Sequence, residues 1–362
     1  MSSEQRLWEI RARIDTLDAQ IQQLIAQRAR CAQEIAQAKS VAGETNGNFY
    51  RPDREAEVLR RVVERDSRPL PPEEMARIFR EIMSACLALE SPLRVAFLGP
   101  EGTYTHAAAL KHFGQSVEAA PLGAIDEVFR EVEARDAHFG VVPIENSTEG
   151  VVTHTLDMFV RSPLRICGEV ELRVHHCLLS KSAALGEVRR VLAHQQSLAQ
   201  CREWLNAHLP GIDIMAVSSN AEAARQVAHD AGAAAIAGGT AAALYQLNIL
   251  ARNIEDEPNN TTRFLIVGPL DPGVTGADKT SLLLSAPNRP GMLHDLLNAL
   301  AKRKISLTRI ESRPSRQGLW EYVFFIDIDG HAQEPRIAEA LDELRAQAAF
   351  VKLLGSYPKA VL

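Results

Sequence analysis

The sequence predicts a multidomain protein: an all-α N-terminal segment over residues 1–92, a central α/β region over 93–270 and an α+β unit over 278–362. Three observations predict it. Apolar residues recur at helical spacing through the first segment, and short strands alternate with helices from Arg94 to Val267. After a stretch rich in Gly and Pro, Gly268 to Asp278, the final elements read strand, helix, strand, strand, helix, strand, the ferredoxin-like βαββαβ order. A chain of 362 residues holds two or three domains, and 46% hydrophobic residues suit well-buried cores.

The elements follow in order. From Gln5 to Ala42, Leu7, Ile10, Ile14, Leu17, Ile21, Leu24, Ile25, Ala32, Ile35 and Ala36 mark one long helix, which Gly43 to Asn48 break. A second helix spans Pro52 to Arg65, Pro69 to Pro72 turn, and a third spans Glu73 to Glu90. Three helices of this length bury little unless they pair with another copy, so the segment asks for a dimer. Val95–Leu98 is a buried strand, Gly99–Gly102 a turn, and Thr103–His106 opens a helix. Phe139–Ile144 is a strand and Val151–Val160 a helix. Further strands are expected at 164–168, 171–179 and 191–193, with helices at 197–208, 220–230 and 240–247. The last unit has strands at Thr280–Ala286, Ser306–Ser315, Trp320–Ile328 and Val351–Ser356, and helices at Met292–Arg303 and Glu334–Gln347.

A net charge of −6 argues against a general nucleic-acid surface while allowing local basic pockets. Five widely spaced cysteines without a CxxC pair give neither a disulfide framework nor a zinc site, and the expected setting is reducing and cytoplasmic. No apolar run reaches the roughly 18 residues of a membrane span. No metal or cofactor is expected, since His106, His175, His176 and His194 show no ligand spacing.

Between the strand at 139–144 and the following helix lie Glu145, Asn146, Ser147 and Thr148. Polar side chains at a strand's carboxyl end suit an acidic small molecule, and they equally suit a helix cap. In the first helix, Arg28 and Lys39 are eleven positions apart, about 16 Å along a shared face, so both side chains could lean onto one ligand or simply sit in solvent. Arg11 lies about 25 Å from Arg28 along the helix and could join that site only from a second chain.

Leu7 to Glu90 resemble the all-helical chorismate mutase family, with Arg11 in Ile10–Asp18, then Arg28, Lys39 and Asp53-Arg54-Glu55 in matching places. The resemblance implies two sites per homodimer, each built from both chains, that rearrange chorismate to prephenate. It implies Arg28 and the second copy's Arg11 on carboxylates, Lys39 on the ether oxygen, and Arg54 and Glu55 on the ring end and its hydroxyl, with Cys86 beside the substrate. Two residues depart from the pattern. Arg51 stands where an acid often sits, and Glu90 stands where a glutamine donates to the ether oxygen. Glu90 could donate only when protonated.

Arg94–Pro269 resemble the prephenate dehydratase family through Leu98–His106, Val142–Ser147, His176–Leu179, His194-Gln-Gln196 and Asn260–Phe264. That family's fold is bilobal α/β, solute-binding-protein-like, with substrate between the lobes, here about 94–168 plus 250–269 and about 170–249. The implied reaction removes CO₂ and the ring hydroxyl of prephenate. Thr262 is the implied acid or hydrogen-bond donor. Glu145, Asn146, Thr105 and Gln196 are implied cleft groups, and Phe264 a substrate-side wall. Arg263 reads either as a carboxylate fork, the assignment adopted, or as a structural ion-pair partner. The C-terminal unit resembles an ACT domain: Pro290, Gly291, Met292 and Leu293 open its first helix, and Glu311, Ser312, Arg313 and Pro314 resemble a phenylalanine motif. L-Phenylalanine bound between paired ACT units would regulate the enzyme. Two alternatives stand beside this reading: a dehydratase whose helical segment only dimerises, and a cytosolic amino-acid sensor. Pairing of dimers into a higher oligomer is left open.

Overall fold

The apolar repeat beginning at Leu7 forms α1 (Ser3–Val41), a single helix of 39 residues. The computed structural model describes residues 3–41, 50–285, 289–314 and 322–361. The expected break at Gly43–Asn48, and Ala286, Asn288, Ser315 and Trp320 of the expected strands and turn, lie outside them. α2 (Pro52–Glu64) and α3 (Pro72–Ala88) pack on each other around Leu59, Val62 and Ala76, a very small core. On α1, Leu7, Trp8, Ile10, Ile14, Leu17, Ile21 and Leu24 are exposed, an apolar stripe that this chain leaves uncovered.

The central region is two sheets. The first lobe contains β1 (Arg94–Leu98), α4 (Tyr104–Phe113), β2 (Glu118–Leu122), α5 (Ile125–Glu133), β3 (Phe139–Asn146), β4 (Gly150–Val151), α6 (Thr153–Arg161) and β5 (Arg165–Arg173). The second contains β6 (Cys177–Ser180), β7 (Arg190–His194), α7 (Gln195–Gln200), α8 (Arg202–His208), β8 (Asp213–Val217), α9 (Asn220–Val227), β9 (Ala233–Ala237), α10 (Gly239–Leu244) and β10 (Asn248–Arg252). β11 (Thr261–Gly268) then returns to the first sheet, whose order is β2-β1-β3-β11-β5, while the second runs β10-β6-β9-β7-β8. The chain therefore crosses between lobes at residues 174–176 and 253–260, later on both passes than expected. β5 runs unbroken to Arg173 because Gly168 pairs with Ile266 and does not end the strand. The expected helix at 197–208 is two helices, separated by the non-helical backbone of Cys201.

The C-terminal unit is β12 (Asp278–Ser285), α11 (Met292–Ala301), β13 (Leu307–Pro314), β14 (Tyr322–Asp329), α12 (Pro335–Gln347) and β15 (Phe350–Pro358), with sheet order β13-β14-β12-β15. Strand alternation divides its side chains between two cores. Leu282, Leu284, Phe324, Ile326 and Ile328 face α11 and α12, while Leu283, Val323, Phe325 and Tyr357 pack on the first lobe with Ile166 and Leu265. The docking is close enough that a Cβ on Gly355 would lie 2.2 Å from the backbone oxygen of Ile166.

The helical segment is joined to the first lobe just as tightly. Gly114, which ends α4, has φ +79°, and a Cβ there would lie 2.4 Å from Ser84 Cβ on α3. Glu81 Oε2 accepts from Gln115 N at 3.0 Å, and Ser84 Oγ accepts from Ser116 N at 3.3 Å. Gly114→Ala should therefore lose about 2–4 kcal/mol through left-handed strain and overpacking, measured by urea denaturation. Adding Ser84→Gly should recover the packing part.

Candidate functional sites

One cavity of ≈ 350 Å³ opens between α1, α2, α3 and the end of α4. Arg28, Lys39, Arg51, Arg54, Glu55, Cys86 and Glu90, all named from the sequence, line it. Four cations face two carboxylates there, so the cavity favours an anion. Arg51 is held by Asp53, with Nη2 2.7 Å from Oδ2, and Arg54 pairs with Glu57 at 2.9 Å. Arg11 lies on the exposed amino-terminal half of α1, outside this cavity. Burial raises the Glu90 carboxyl above its ordinary pKa, against the lowering pull of Lys39 and Arg28. Glu55 is raised by burial as well, opposed by Arg80 and by a hydrogen bond from Tyr50. Tyr50, Arg80 and Phe113, which the sequence reading missed, carry no local signal; their relation to Glu55 is purely spatial.

The second candidate site lies where β3 ends and β11 begins, beside the crossing segments. Antiparallel pairing sets Asn146 opposite Thr262. Asn146 Oδ1 accepts from the backbone N–H groups of Thr148 (3.0 Å) and Glu149 (3.1 Å), which fixes the amide's orientation. Its Nδ2 then donates to Thr262 Oγ1 at 2.8 Å and to Asn260 Oδ1 at 2.7 Å. With its oxygen already accepting, the Thr262 hydroxyl keeps its own proton for an acceptor in the cleft.

From Asn260 the hydrogen bonds continue across the lobes. Asn260 Nδ2 donates to Gln200 Oε1 at 3.4 Å, which lies 2.9 Å from His176 Nε2, and His176 Nδ1 lies 2.9 Å from the Tyr104 hydroxyl. Burial lowers the His176 pKa, so the ring is neutral, with Nε2–H donating to Gln200, while the Tyr104 hydroxyl beside Nδ1 donates to the His175 carbonyl oxygen at 2.9 Å. The network runs through Gln200, one turn beyond Gln196 on α7; Gln196 and the buried Thr105, at the start of α4, stand outside it. His175 pairs with Glu255 at 2.8 Å and joins the two crossing segments. Among the described residues no group of three or more His, Cys, Asp or Glu could hold a metal.

Two neighbours of Thr262 need correction. Arg263 points to the opposite face of β11, where Nε reaches Glu169 at 2.8 Å, Nη1 reaches Asp327 at 2.6 Å and Nη2 donates to the Tyr357 hydroxyl at 3.0 Å. Its nitrogens tie Glu169 of β5 to Asp327 and Tyr357 of the ACT-like unit, so the ion-pair alternative describes it and the carboxylate fork does not. Phe264, 1% exposed, lies in the core with Val95, Phe97 and Ala108 and is no part of an exposed wall. Glu145 Oε2 lies 2.9 Å from Arg309 Nε on β13.

The remaining candidates divide by strand alternation. On β13, Ser312 and Pro314 are exposed with Ile310, while Glu311 and Arg313 turn inward and Arg313 meets Asp157 of α6 at 3.1 Å. Gly291 caps α11 at φ +78°, with Pro290 exposed beside it and Met292 and Leu293 half-buried on the unit's core.

Comparison with known proteins agrees with this division. The family model for chorismate mutase type II matches residues 10–91, that for prephenate dehydratase matches 95–271 and that for the ACT domain matches 280–346. The chain is 56% identical to a protein of Stutzerimonas stutzeri and 54% identical to one of Pseudomonas aeruginosa, both over 100% of each chain. Each is a bifunctional chorismate mutase/prephenate dehydratase. A crystal structure of prephenate dehydratase from Arthrobacter aurescens in complex with L-Phe superposes with TM-score 0.68 at 38% identity, covering 74% of this chain and 90% of that one.

Arg263→Met should leave Glu169 and Asp327 short of a cation. The expected loss is about 3–5 kcal/mol in chemical denaturation. Arg77→Met, which breaks only an exposed pair with Glu74, should cost under about 1 kcal/mol.

Proposed function

The chain belongs to the family of bifunctional chorismate mutases/prephenate dehydratases, and we propose that it rearranges chorismate to prephenate in its helical cavity and converts prephenate to phenylpyruvate between its α/β lobes. The observation that carries this is the single cavity gathering Arg28, Lys39, Arg51, Arg54, Glu55, Cys86 and Glu90. The rearrangement needs no nucleophile. It needs a dicarboxylate held in its compact conformer and charge stabilised on the breaking ether oxygen. Arg28 binds one carboxylate, Lys39 and Glu90 face the ether oxygen, and Arg54 and Glu55 orient the ring end. A second copy covers the apolar stripe of α1 and supplies its own Arg11 to the site.

In the cleft, Thr262 hydrogen-bonds the departing ring hydroxyl and relays to it a proton taken up from solvent, so that it leaves as water while the ring carboxylate leaves as CO₂. The ring aromatises, so the step is strongly downhill, and positioning and protonation are what the protein must add. Asn146 supports the role by occupying the threonine oxygen from behind. L-Phenylalanine binds the ACT unit at Pro290–Leu293 and Glu311–Pro314. The ion pairs Arg309–Glu145 and Arg313–Asp157 give that binding a route to the cleft, through different affinities for two lobe arrangements.

Separate assays with chorismate and prephenate test the division of labour. Thr262→Ala should lower prephenate dehydration about 10²–10⁴-fold with chorismate consumption intact, and Arg11→Ala should do the reverse. Loss of both activities together in either variant would contradict separate sites. Glu90 adds a pH test. Its raised carboxyl donates only while protonated, so mutase turnover should fall as pH rises through its pKa, and Glu90→Gln should flatten that fall. An unchanged profile would reject the donor role.

A further inference from the structure

We propose that His112, on the last turn of the dehydratase helix α4, is a positioning residue of the mutase site, fixing Glu55 through the hydroxyl of Tyr50. The proposal rests on the mutase reading of the helical cavity. Tyr50 is buried, its ring 5.2 Å from both Phe113 and Phe139 in the core of the first lobe. Its hydroxyl lies 3.0 Å from His112 Nε2, and Tyr50 lines the helical cavity beside Glu55, whose carboxylate it faces. The other partner of Glu55 is Arg80, at 3.4 Å, and Arg80 Nη1 donates to the backbone oxygen of Lys111 at 2.6 Å. Both groups that hold this carboxylate are therefore anchored on successive residues of one helix, and the next residue, Phe113, forms part of the cavity wall.

The protons follow from the surroundings. Burial, with the Arg80 guanidinium nearby, pushes the His112 pKa down to about 3, so the ring is a neutral imidazole with one donor and one acceptor. When Glu55 is ionised, the Tyr50 hydroxyl donates to it, and the tyrosine oxygen must then accept from His112 Nε2–H. Without that donor the tyrosine oxygen loses its second partner, and the contact with Glu55 is less firmly oriented. Glu55 then depends more on Arg80, whose 3.4 Å approach is long for an ion pair.

The test uses the full chain and assays each activity with its own substrate. His112→Leu and Tyr50→Phe should each lower kcat/KM for chorismate about ten-fold, in kcat more than in KM, because ring orientation is what is lost. Prephenate dehydration should be unchanged, which also reports an intact fold. His112→Gln, whose amide nitrogen can donate from nearly the same place, should recover most of the loss. The double variant His112→Leu/Tyr50→Phe should be no worse than either single one. Parent mutase kinetics in His112→Leu, a glutamine no better than leucine, or multiplying losses in the double variant would each overturn the proposal. Tyr50→Phe, one oxygen smaller, carries the test should His112→Leu lose both activities. A parent that does not consume chorismate would overturn the mutase reading itself.

Discussion

Neighbouring side chains on a strand point to opposite faces, and β11 turns that rule into a connection because it is paired on both edges, to β3 and to β5. Thr262 meets Asn146 on one face and Arg263 meets the C-terminal unit on the other, one peptide apart. Behind Arg263, Glu169, Asp327, Lys279, Ser281 and Tyr357 form a buried cluster in which each carboxylate has a cation. Such a cluster adds little net stability over an apolar packing of the same shape, but it tolerates few arrangements. The position of the threonine hydroxyl is thus set partly by ionic contacts made in another domain.

The fold class was legible because the signals are long or ordered: a helical apolar repeat over some forty residues, and βαββαβ after a Gly/Pro linker. What escaped was short. β9 is Ala-Ala-Ala-Ile-Ala, which propensity favours as helix, yet it is buried between β6 and β7 and becomes a strand by packing. The partners of Arg263 were equally hidden, since Asp327 lies 64 positions away and Glu169 and Tyr357 each lie 94 away, and no local residue announces them.

The cavity residues of the helical segment lie within short stretches whose order carries the resemblance, so they could be named before any coordinates. Their supports could not. Tyr50 and His112 are 62 positions apart, and Asn146 and Thr262 are 116 apart. Gln200 carried no such signal: one turn of α7 beyond the His194-Gln-Gln196 run, it meets Asn260 and His176 only through the fold.

α4 has Tyr104 and Thr105 at its start, beside the lobes' crossing, and Lys111, His112 and Phe113 at its end, against the helical cavity. Ten residues of helix span about 15 Å, so both pockets share a single rigid strut. The two catalytic parts are welded at that strut rather than strung on a tether, and cutting the polypeptide near residue 93 would strip one pocket of a wall and two anchors. A helical part standing alone would have to replace the Lys111 carbonyl, the His112 imidazole and the Phe113 ring.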